Sequence, residues 1–132
     1  MKYLIITFFT LTMISCTQSG DTIIGEWERI NDEHKGLIIK VIKEKNNYVG
    51  KLTQVPEESV KSGFAIEDIK WKNIEFISEG NYKFQDLYKS VINEQVDEIG
   101  YGDGYIELSE NKLIVKHTKE NKTGLKQEWI RK

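Results

Sequence analysis

The chain has 132 residues, a length that suits one domain with a single core. Its 19 basic and 21 acidic side chains leave a formal net charge of -2 with no block of like charge, a balance that argues against nucleic acid as a partner. Five Phe, six Tyr and three Trp exclude a disordered chain, and a lone cysteine excludes a disulfide scaffold.

The first element is a leader rather than part of a fold. Lys2 supplies a positive charge, and the apolar run from Tyr3 to Ile14 is long enough for a signal peptide core but too short to span a bilayer. It ends in Met13-Ile14-Ser15-Cys16, which resembles the bacterial lipobox. That resemblance implies cleavage after residue 15, lipid on Cys16, and a protein held in the cell envelope by a membrane anchor. Each buried methylene adds about 0.8 kcal/mol of membrane affinity, so the several acyl chains such a cysteine carries would hold permanently. Thr17 follows in place of Asp, which by the same resemblance favours the outer membrane. Residues 16–22 then read as a lipidated tether, and 23–132 as the folded domain.

From Ile23 onward, stretches rich in Val, Ile, Tyr, Phe and Trp alternate with Gly, Asn, Asp and Lys clusters, the pattern of short strands. Eight are expected, over 23–30, 36–44, 47–55, 69–77, 82–89, 104–109, 112–119 and 125–131. Five connections have hairpin length, so neighbours should be antiparallel. The two longer ones, 56–68 and 90–103, are the natural rims; Pro56 could open one helical turn in the first. The expected class is all-β: a single eight-stranded antiparallel up-and-down barrel, with an interior just large enough for packed side chains or one small ligand. A two-sheet sandwich and an open meander are the alternatives.

Three segments carry a resemblance. Gly25-Glu26-Trp27 opens the first strand, Ile39-Lys40-Val41 leads into Tyr48-Val49-Gly50-Lys51-Leu52, and Gln127-Glu128-Trp129-Ile130-Arg131 closes the chain. This order resembles the calycin pattern of lipocalin-like proteins, bacterial lipocalin-like domains among them. The resemblance implies a structural latch in which Arg131 lies across the indole of Trp27, a contact worth about 0.5 to 2 kcal/mol. The chain departs from lipocalins in its short first connection, where their lid is usually long.

Alternation puts Leu37, Ile39, Val41, Tyr48, Leu52, Ile106, Leu108, Leu113 and Val115 inward, together with the ligand-binding candidates Tyr82, Phe84, Asp86, Tyr88, His117 and Gln127. Leu125, Trp129 and Arg131 share the face of Gln127. Asp86, His117 and Gln127 are polar among apolar neighbours, and burial is costly for each without a partner. The expectation is that they lie at the wet rim; the other reading is that they grip the polar end of a ligand. Any site should open between 56–68 and 90–103.

No nucleophile elbow, zinc-protease motif or phosphate-binding glycine loop is present, so no catalytic residue, metal ligand or cofactor is expected, and the chain reads as a non-enzyme. Asp97, Glu98 and Asp103 among glycines do not match a calcium loop. Two functions remain. One is a lipoprotein that binds a small apolar or amphipathic molecule in the barrel. The other is a filled barrel that acts as a structural or interaction lipoprotein on another envelope protein.

Overall fold

The computed structural model describes residues 20–118 and 126–132. The leader, Cys16 and Leu125 lie outside them. The described chain forms β1 (Gly25–Ile30), β2 (Ile38–Glu44), β3 (Asn47–Gln54), α1 (Glu57–Lys61), β4 (Ile69–Ser78), β5 (Asn81–Ile92), β6 (Gln95–Ser109), β7 (Lys112–His117) and β8 (Gln127–Arg131). The eight strands pair in sequence order, and β1 pairs with β8, which closes an antiparallel up-and-down barrel.

Closure follows from which side chains need water removed. Trp27, Ile39, Leu52, Trp71, Tyr82, Ile106, Leu113 and Trp129 come one from each of the eight strands and belong to one buried cluster. In an open sheet the first and last strands would leave unpaired backbone groups. Trp71 sits edge-on to both Phe84 and Trp129, with ring centroids 5.7 and 5.0 Å apart, so the middle of the barrel is packed with aromatic rings rather than hollow.

One end is sealed. A 3-10 turn over Gly20–Ile23 lies across it: Tyr82 donates its hydroxyl to the Gly20 carbonyl at 2.7 Å, Tyr48 donates to Asp21 Oδ1 at 2.6 Å, and Trp27 Nε1 donates to the Ile23 carbonyl at 2.9 Å. Residues 20–22, assigned above to the tether, are thus seated on the barrel.

The β1–β8 seam carries two aromatic–cation pairs in direct register. Trp27 is opposite Arg131 and Arg29 is opposite Trp129. The Arg131 guanidinium lies 4.2 Å from the Trp27 ring centre and donates to the carbonyls of Thr22 and Ile24; that of Arg29 lies 5.6 Å from the Trp129 ring. Gly25 makes the first pair possible. Its φ of 137° is disfavoured for other residues, and a Cβ there would stand 2.9 Å from Arg131 Nη1. Gly25→Ala is expected to lower stability in denaturant unfolding by more than about 1 kcal/mol, beyond the ordinary cost of an incompatible backbone.

Two boundaries differ from expectation in a way that matters. The segment 90–103 is not a loop: β5 and β6 run on to Ile92 and Gln95 as paired arms of one long hairpin, turning only at Asn93 and Glu94. Glycine and acid content hid these strands. The pairing supplies what propensity does not, because Gly100 lies beneath the Tyr88 ring, where a Cβ would be 2.3 Å from its hydroxyl. The other long connection does hold one helical turn, α1, entered from Pro56.

Candidate functional site

Opposite the sealed end, the barrel opens into a pocket of about 960 Å³. Its wall is assembled from the β1–β2 connection (Asn31 to His34), the segment after α1 (Ser62, Phe64), the β5–β6 hairpin (Leu87, Tyr88, Glu98, Gly102, Asp103) and β7–β8 (His117, Lys126, Gln127), with Arg29, Lys70 and Asp86 also lining it. The opening therefore lies between the two long segments picked out in the sequence. The short β1–β2 connection forms a third side.

Of the six ligand-binding candidates, Asp86, Tyr88, His117 and Gln127 line this pocket. Tyr82 and Phe84 do not. Tyr82 is wholly buried and bonds the cap at the sealed end, and Phe84 is packed against Trp71 in the core. Tyr88 keeps the inward parity but stands beyond the rim, 45% exposed, with its hydroxyl donating to Glu98 Oε1 at 3.2 Å.

Asp86 corrects the rim expectation. Only 4% of it is exposed, and it is the hub of a buried polar network. Oδ1 pairs with Lys70 Nζ, while Oδ2 takes His117 Nε2 at 2.8 Å and Gln127 Nε2 at 3.5 Å. Gln127 Oε1 in turn accepts from Trp129 Nε1 at 3.4 Å, which ties the network to the aromatic core. Lys70, 3% exposed, also donates to the Leu87 carbonyl at 2.8 Å and lies 4.9 Å from the Phe64 ring centre. Burial pulls the ammonium below its ordinary value, against the Asp86 charge that raises it. Burial alone would raise the Asp86 carboxyl; the Lys70 charge and the His117 hydrogen bond outweigh it and hold the group below the usual carboxylate range. An ionised Asp86 accepts only, so His117 carries a proton on Nε2.

Arg29 stands at the next level up. It is 8% exposed, and its Nε and Nη2 both reach Asp32 Oδ2, at 2.8 and 2.6 Å, leaving Nη1 with no partner among the described residues. His34 pairs Nδ1 with the buried Ser59 hydroxyl at 2.9 Å and meets the Phe64 ring edge-on. Burial, then the Arg29 charge, lowers its pKa from 6.5.

Neither cation was selected from the sequence. Arg29 was legible, because it shares the face of Trp27 two residues away. Lys70 was not, since alternation puts it on the face opposite Trp71. Among the described residues no group of three or more His, Cys, Asp or Glu could hold a metal ion. Comparison with protein-family models, curated proteins and solved structures finds no match to this chain.

Proposed function

We propose that this protein is a lipid-anchored envelope lipoprotein whose barrel binds one small amphipathic molecule, inserted with its hydrogen-bond-accepting or anionic end toward Arg29 and the Lys70–Asp86–His117–Gln127 network. The observation that carries this reading is a buried cationic side chain, Arg29, whose Nη1 has no partner among the described residues, at a ligand-sized opening. A pocket of about 960 Å³ lies at the upper end of the range for small-molecule sites, about 300 to 1,000 Å³. Asp32 and Asp86 neutralise Arg29 and Lys70, so the wall is not a free basic patch. What remains for the accepting end of a ligand is directional, Arg29 Nη1; the His117 ring lines the pocket with its Nε2 proton already committed to Asp86. Phe64, Leu87 and Tyr88 would cover the apolar part.

An anionic naphthalene sulfonate whose emission depends on polarity tests this reading. It should bind the purified domain, be displaced by a long-chain carboxylate, and bind about tenfold or more weakly to Arg29→Gln, the scale of a lost hydrogen bond to a charged group, about 1.5 to 3 kcal/mol. Lys40→Gln, on the exposed outer wall, should leave it unchanged. Absence of binding, or equal binding to Arg29→Gln, defeats the proposal.

The second reading, an interaction lipoprotein, is favoured by one observation. The hairpin arms beyond the barrel expose Ile92 and Ile99 at 57% and 61%, a scale of apolar exposure suited to a protein contact. In that case the naphthalene probe stays unbound, and cross-linking from the hairpin in intact cells recovers a partner.

A further inference from the structure

We infer that the pocket opens away from the membrane that holds the anchor, so that its ligand is exchanged with the aqueous side rather than taken directly from that bilayer. The inference rests on the lipidation of Cys16 proposed above.

Its basis is the position of Gly20. The residue is buried on the sealed end, where its carbonyl accepts from Tyr82 and its Cα is packed so closely that an added Cβ would meet Tyr48 and Phe76 within 3 Å. All the hairpin turns of the barrel at that end, after Glu44, Ser78 and Ser109, lie away from the pocket. Cys16 is four residues before Gly20. A chain reaches at most about 3.3 to 3.6 Å per residue, so lipid and sealed end are separated by no more than about 14 Å.

The other end is out of reach. β6 runs 15 residues from the hairpin tip to the sealed end. The pocket lining on this strand begins at Glu98, about 11 residues before Ser109, which at about 3.3 Å per residue and a tilt of roughly 40° puts the mouth roughly 28 Å along the axis from the sealed end. To set the mouth on the bilayer, a tether fixed at Gly20 would have to run that height back along the outside of the barrel. Three residues between Cys16 and Gly20 cannot.

The full lipidated chain in phosphatidylcholine vesicles carrying a headgroup-attached energy acceptor provides the test. With Cys16 acylated, a cysteine added in Asn46→Cys at the sealed end, or in Glu94→Cys at the hairpin tip, is the single free thiol for a donor dye. Transfer from position 46 should exceed that from position 94 at least twofold. Inserting 12 Gly/Ser residues after Thr17 lengthens the reach by up to about 40 Å and should erase the difference. Equal or reversed transfer in the chain of natural length overturns the orientation while leaving the anchor intact. A difference that survives the insertion overturns the tether as its cause. A wild-type chain that carries no lipid and does not associate with the vesicles overturns the anchor, and the orientation falls with it.

Discussion

Trp27→Ala is expected to destabilise the domain by about 3 to 5 kcal/mol in denaturant unfolding, the range for deleting a large buried aromatic. For a domain whose whole stability is about 5 to 15 kcal/mol, that approaches unfolding. The ring is completely buried, its Nε1 holds the cap through the Ile23 carbonyl, and its face carries Arg131. Arg131→Ala should cost less, since this guanidinium is partly in water. In a double-mutant cycle the two changes should be coupled by about 0.5 to 2 kcal/mol, because either truncation leaves the other without its ring or its charge. Additivity within error would mean that the 4.2 Å contact contributes nothing and that packing and the hydrogen bonds of the cap hold the sealed end.

Lys70→Ala should be comparably severe. Removing one member of a buried ion pair leaves the other charged, desolvated and unpaired, at a cost of about 3 to 5 kcal/mol. Here Asp86 would keep His117 and Gln127 but lose its cation. Lys70→Met combined with Asp86→Leu should be much milder than either single truncation, since neither charge of the pair is then left buried without its partner. A double variant as unstable as Lys70→Ala would show that the surrounding hydrogen bonds, not the charge balance, hold the rim.

The pH dependence of the same pair has a defined sign. The folded carboxyl of Asp86 lies below its ordinary value of 3.8. Its contribution is therefore complete above that value and is lost as pH falls through the lower folded one. In Lys70→Ala, burial dominates and raises the carboxyl, so the cost of the substitution should shrink on acidification as Asp86 takes up a proton. Chemical denaturation of both proteins from neutral pH to pH 3 separates these slopes. A cost independent of pH would exclude an ionised Asp86.

How much of this was legible in the sequence depends on the distance over which each residue finds its partners. Alternation of apolar side chains located all eight strands, because each strand's inner face must be apolar whatever its neighbours are. Turn length made those neighbours antiparallel. The parity of Trp27, Trp129 and Arg131 foreshadowed the seam, and the regular spacing pointed to closure. The arms of the β5–β6 hairpin were missed because Gln95 to Asp103 is acidic and glycine-rich; those residues are strand only because β5 lies opposite and its Tyr88 ring covers Gly100. The candidate site divided in the same way. Asp86, His117 and Gln127 could be singled out one at a time, as polar residues on an inward face. Their depth, and the identity of Lys70 as the cation that makes an ionised Asp86 tolerable, were decided by tertiary structure. Lys70 is the extra residue of a bulge, since β3 pairs Gly50 with Trp71 and Lys51 with Ile69, and the bulge breaks the alternation that would otherwise turn it outward; no local pattern encodes that bulge or a partner that desolvation selects.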